Sequence, residues 1–252
     1  MEPPRQTSEL LTSPHGFFGR RGGVSEGIFF SLNGSFASGD REDCILENRA
    51  RMTRAFGAAT VSTAKQTHSA TAIFVDQPID RSAPPEGDAL ITDVPGLAVG
   101  VLTADCVPLL MEAPGLVAAI HAGWRGSMRG VIGAAADLME QRGATRSAIK
   151  VAIGPCLRRR SFEVRHDLIG EVTAAFPGAG EFFSPISEEH SLYDHIGFVR
   201  TRLCEAGILD SHIADVGGDT LGDQDSYFSY RGARSAGLLQ FGHNLSAIAL
   251  AQ

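Results

Sequence analysis

Paired cysteines are missing from this chain: the four cysteines stand alone at positions 44, 106, 156 and 204, and no C-x-x-C spacing occurs. That excludes a zinc ribbon and argues against a small disulfide framework, so reduced thiols in a cytoplasmic enzyme are expected. No His-x-His pair occurs among the eight histidines. No apolar run reaches the roughly 18 residues of a membrane span, and Met1 to Pro14 is too polar for a signal peptide. Basic charge is also scarce. Lys plus Arg number 22 against 29 Asp plus Glu, for a net charge of -7, and the single basic block, Arg158-Arg159-Arg160, reads as a solvated turn. A nucleic-acid footprint is not supported.

With 252 residues and 43% apolar content, the chain can bury a large core. The expectation is a flexible tail over residues 1–14 and a single catalytic domain over 15–252, without internal repeats. Residues 40–56 read as a capped amphipathic helix ended by Gly57, and 126–141 as a second helix ended before Gly143. Further helices are expected over 165–176 and 188–206. Runs rich in Val, Ile and Thr predict strands at 60–67, 71–75, 88–92, 97–102, 107–111, 116–120 and 148–153, with later ones at 213–216, 227–230 and 245–250. Strands in succession with few helices between them imply an α/β (or α+β) layered sandwich of mixed sheets covered by helices, and not a doubly wound nucleotide fold.

Three segments carry metal-competent side chains: Gln66-Thr67-His68, Ala104-Asp105-Cys106 and His121-Ala122-Gly123-Trp124-Arg125-Gly126. Two imidazoles and a thiolate suit zinc, and three protein ligands leave a fourth position for water or substrate. Cys106 and His121 flank the two arms of a predicted β-hairpin. If Ala113-Pro114 is the turn centre, the two lie directly opposite, with Cβ atoms roughly 4.5–5.5 Å apart; if Pro114-Gly115 is the centre, they are diagonal neighbours on one face, roughly 7–8 Å apart. A one-residue bulge would send them to opposite faces. Periodicity does not place His68 near either.

Arg125 sits where a turn enters a helix, so it either helps hold an oxyanion or stacks on Trp124. Asp88 and Asp105 are either carboxylates that orient the imidazoles or caps of turns. Cys156 reads as a buried thiol after a tight Gly-Pro turn. The remaining histidines, His243 among them, have no partner spacing and read as surface or structural.

The ordered series Gly16-Phe-Phe-Gly-Arg-Arg-Gly-Gly-Val-Ser25, Ser31-Leu-Asn33, Gly39-Asp40, Glu47-Asn-Arg49, Gln66-Thr-His68, Gly87-Asp-Ala-Leu90, Thr103-Ala-Asp-Cys106, His121-Ala-Gly-Trp-Arg-Gly126, Ile153-Gly-Pro-Cys156, Asp219-Thr220 and Phe228-Ser-Tyr-Arg231 resembles the laccase-domain family. These proteins were first described as multicopper polyphenol oxidases and are now regarded as zinc-dependent purine nucleoside phosphorylases. The resemblance places the zinc ligands at His68, Cys106 and His121, and it alone supplies His68. It implies a fold similar to the catalytic domain of cytotoxic necrotising factor. It also implies purine nucleosides and phosphate as substrates, with cleavage of adenosine, inosine and methylthioadenosine and deamination of adenosine. The C-terminal motifs depart from the family: Arg231 is followed by Gly232 where a second arginine is common, and Gly242 is followed by His243 where arginine is common.

Other readings compete with this one. A copper polyphenol oxidase fits poorly with so few histidines. A cysteine hydrolase or amidase would use Cys106 as nucleophile and His121 as its base. A peptidoglycan-precursor editing factor is a further possibility that the resemblance raises.

Overall fold

The computed structural model describes residues 2–251. Along the chain, β1 (Arg5–Gln6) and β2 (His15–Phe18) precede α1 (Glu42–Arg54). Then come β3 (Val61–Ser62), β4 (Ala72–Phe74), β5 (Ala89–Thr92), β6 (Ala98–Thr103), β7 (Val107–Ala113) and β8 (Leu116–Ala122). Helices α2 (Trp124–Arg129) and α3 (Val131–Gln141) lead to β9 (Lys150–Ile153), β10 (Glu163–Arg165) and α4 (His166–Ala175). The remainder is β11 (Phe183–Pro185), β12 (His190–Tyr193), α5 (His195–Glu205), β13 (Ile213–Asp215), α6 (Tyr230–Ser235) and β14 (Asn244–Ala249).

The strands form two mixed sheets, ordered β1-β2-β14-β6-β3 and β13-β9-β7-β8-β5-β4, and a small antiparallel sheet β10-β12-β11. The two large sheets pack face to face. Phe17, Val99, Val101 and Ile248 of one meet Leu90, Leu110, Val117 and Ala119 of the other. The far side of the six-stranded sheet, with Ile91, Leu109, Met111 and Ile120, is covered by Val131, Ile132, Ala135 and Met139 of α3 and Val199 and Leu203 of α5. On the outer face of the five-stranded sheet, Met52 of α1 packs against Phe18, Ala98 and Leu245. The result is a four-layer sandwich of mixed sheets between helices. Strand β8 reads as a continuous apolar run because both its faces are buried. Truncating a fully buried side chain such as Leu110 would cost about 2–5 kcal/mol.

Several expected elements differ. The helix expected over 126–141 starts at Trp124 and is split at Gly130, whose φ of 96° lies in the left-handed region. The expected helix over 188–206 begins as strand β12. Its helical part starts only where the Asp194 side chain accepts from the Gly197 N–H at 2.9 Å. Residues 227–229 form no strand, because Ser229 caps α6 by accepting from Gly232 N at 3.0 Å. In the N-terminal segment expected as a flexible tail, Arg5–Gln6 pairs with β2 and Leu11 is buried in the core. The arginine block ties loops together: Arg158 grips both carboxylate oxygens of Asp215, and Arg160 reaches Asp219.

Candidate metal centre

Pairing of β7 with β8 sets Ala113 opposite Leu116 and Pro108 opposite His121, so the turn centre is Pro114-Gly115, with Gly115 at a φ of 76°. Cys106, just before β7, is therefore a diagonal neighbour of His121. Both face the space between the large sheets, with the same alternation as Leu110 and Val117.

His68 reaches the same spot from a loop. Its Nε2 lies 3.7 Å from Cys106 Sγ, and its ring centroid is 4.8 Å from that of His121. One ligand atom from each of the three residues lies within 4.8 Å of the others. Donors bound to one tetrahedral zinc sit roughly 3.3–3.6 Å apart, given bonds of about 2.0–2.3 Å. The spacing and donor chemistry thus fit a single ion.

Asp88 holds two of the three in place. Its carboxylate accepts from the backbone N–H groups of Thr67, His68 and Ser69 (3.2, 3.1 and 2.7 Å) and from His121 Nδ1 at 2.7 Å. Burial raises the Asp88 carboxyl, but His121 and Ser69 outweigh it and hold the group well below the usual carboxylate range. The proton on His121 Nδ1 is thereby fixed, and Nε2 turns toward Cys106. Arg129 donates to the His68 carbonyl at 2.9 Å and secures the loop from α2.

Asp105 locks the third segment. It accepts from Thr220 Oγ1, Ser229 Oγ and Arg231 N, each at 2.7 Å. His68 and Asp105 both adopt positive φ (56° and 93°), a strained conformation for non-glycine residues that these bonds sustain.

Cys106 and His121 polarise each other. Burial pushes the Cys106 thiol up, yet His121 and His68 outweigh it and bring it down to about 6. Burial lowers His121, but the Cys106 sulfur and Asp88 raise it to about 9. Cys106 thus favours the thiolate, the form that binds metal. Cys156 is fully buried and pushed up to about 12, so it remains a thiol outside the centre.

Gly123, missed by sequence reasoning, follows two residues after His121. A Cβ there would lie 2.6 Å from His68 Cδ2 and 3.1 Å from Cys106 Sγ. The observed hairpin register, extended one residue, puts it opposite Cys106, which is the signal that could have revealed it.

Arg125 is not gathered with the trio. It is exposed, its guanidinium 4.1 Å above the Trp124 ring, and it lines a cleft of about 520 Å³ with Glu163, Arg165, His190 and Arg231. The stacking expectation for Arg125 therefore holds. His243 is half-buried, one residue before β14.

This metal-competent cluster at the strand ends of a two-sheet sandwich defines an enzyme-like site. Residues 14–251 match the family described as multi-copper polyphenol oxidoreductase laccase, and the chain belongs to that family. A Streptomyces griseus protein named purine nucleoside phosphorylase ORF3 is 36% identical over 240 residues, spanning 93% of this chain and 95% of its own. A Deinococcus radiodurans purine nucleoside phosphorylase is 34% identical over 231 residues, spanning 90% and 86%. Among solved structures, YlmD from Geobacillus stearothermophilus superposes with a TM-score of 0.87 at 28% identity, covering 94% of this chain and 92% of its own. The Bacillus licheniformis hypothetical protein YfiH gives 0.86 at 27% identity, with the same coverage. Among the described residues, no helix is long and apolar enough to cross a membrane.

Proposed function

We propose that this chain is a zinc-dependent purine nucleoside phosphorylase that cleaves adenosine, inosine and methylthioadenosine with phosphate, and that adenosine is also deaminated at the same centre. The observation that carries this reading is the convergence of His68, Cys106 and His121 in a chain whose relatives bear that name. These three residues would hold the ion, which supplies Lewis-acid stabilisation of charge at the reacting groups. Asp88 holds a proton on His121 Nδ1, so that Nε2 would turn its lone pair to the ion once the Nε2 proton is displaced.

In phosphorolysis the bond from ribose C1′ to the base breaks, its electron pair leaves with the purine, and a phosphate oxygen bonds C1′. The chain must therefore neutralise a phosphate and fix its direction of approach. Arg125 suits this task, because its stack on Trp124 orients the guanidinium and no carboxylate pairs with it among the described residues. Trp124, which lines this cleft, directly follows Gly123, whose backbone lies against His68 and Cys106.

One ion-binding group of this kind occurs among the described residues, which favours zinc chemistry over multi-copper reduction of dioxygen. A second reading has one observation in its favour: Asp88, His121 and Cys106 stand in the order of a Cys-His-carboxylate hydrolase. The approach of His68 to the same sulfur has no role in that mechanism.

Incubation with inosine and phosphate, with products separated by chromatography, tests the proposal. Hypoxanthine and ribose 1-phosphate should form only with phosphate, disappear with a strong chelator and return with zinc. Activity that survives metal removal but ends on thiol alkylation would instead establish the hydrolase reading.

A further inference from the structure

His243 has a buried Nδ1 with no hydrogen-bond partner. Its Nε2 also makes no bond within the described chain, yet it is not among the buried unpartnered atoms, so it is not fully buried. A buried N–H without an acceptor costs more than a bare lone pair, so the proton belongs on Nε2, which becomes an unpaired donor. The backbone around it is pinned: His243 N donates to Asn33 Oδ1 at 2.9 Å, and Gly34 N donates to His243 O.

This donor ends a row of rings. The centroid of His243 is 4.9 Å from Phe241, and Phe241 is 5.3 Å from Tyr230, which is 47% exposed. The row borders the metal centre at two points. Arg231, next to Tyr230, donates its N–H to Asp105, the neighbour of Cys106. Asn244, next to His243, pairs with Thr103 at the end of the strand that leads to Cys106. Burial, and then the charge on His121, hold His243 down to about 4, so it is a neutral donor near pH 7.

We propose that His243 recognises the purine base, donating from Nε2 to a ring acceptor beside the edges of Phe241 and Tyr230, whose rings Arg234 covers from one side (5.2 Å from the Tyr230 centroid and 6.0 Å from that of Phe241). This assignment rests on the nucleoside reading above. A neutral donor flanked by rings suits a flat heterocycle with lone pairs at its edge; a phosphate would call for a cation.

Three proteins decide it: wild type, His243→Phe, which keeps a ring without the donor, and His243→Gln, which restores a donor. Kinetics with inosine and phosphate are combined with calorimetric binding of inosine and with zinc content. Loss of one neutral hydrogen bond predicts a KM for inosine raised roughly 5–10-fold in His243→Phe, with the KM for phosphate and the zinc content unchanged. His243→Gln should recover to within about twofold. An unchanged inosine KM in His243→Phe, in an enzyme whose wild type is active, overturns this assignment alone. A similar loss in both variants also overturns it, because it would indicate a packing role. A wild type that neither binds nor cleaves inosine overturns the nucleoside reading, and this assignment with it.

Discussion

Asp88 and His121 form a 2.7 Å hydrogen bond through which one carboxylate sets the orientation of a candidate ligand while its remaining capacity fastens the loop that carries another. Both functions require acceptors only. In Asp88→Asn the amide presents N–H groups to donors on one side. The expected result is metal affinity weakened roughly 10–100-fold with the fold retained. Competition with a chelating dye measures it, and affinity equal to wild type would deny Asp88 its positioning role.

Gly123 provides a steric test that leaves the ligands themselves untouched. Gly123→Ala places a methyl 2.6 Å from the His68 ring, so His68 must swing away and metal should be lost. Gly133→Ala, in α3 with nothing within 4 Å of the new carbon, is the control. It should raise stability by about 0.4–1 kcal/mol in urea unfolding, with metal content unchanged. Full metal occupancy in Gly123→Ala would show that the trio does not share an ion in this geometry.

Acid should weaken the fold through a buried histidine that is not one of the trio. His195 faces Ser127 at 3.2 Å and stacks on Tyr193; burial, and then the charge on His121, lower it to about 3. The unfolded chain takes up this proton near pH 6.5 and the folded chain does not, so stability is complete above about 6.5 and falls as pH drops toward about 3. The slope is at most about 1.4 kcal/mol per pH unit for this group. His195→Gln should flatten the loss between about pH 6 and 4 in urea titrations, where His243 also contributes. An identical acid slope in the variant would contradict the assignment.

How much was legible in the sequence follows the range of the interactions. The hairpin carrying Cys106 and His121 was readable because pairing and turn are local. Its two allowed registers differed only in which residues turn, and Gly115 decided for the diagonal one. Helix α1 and the strands around β5 to β8 likewise follow periodicity. The split at Gly130 was not legible, because a helix-compatible pattern continues through a residue with left-handed φ. Strand β12 was obscured by a polar stretch that pairs on both sides in the small sheet. His68 could not be placed by spacing at all: Asp88, 20 residues away, brings it in by backbone bonds to its loop. The setting of His243 was not legible for the same reason, since Asn33, which accepts from its backbone N–H, is 210 residues away.

Metal stoichiometry in purified protein, determined alongside hypoxanthine release, tests the central claim most directly. The account predicts about one zinc per wild-type chain, and loss of both metal and base release in Cys106→Ala and in His121→Ala, with each variant still folded. Stoichiometric zinc retained in both variants would contradict it.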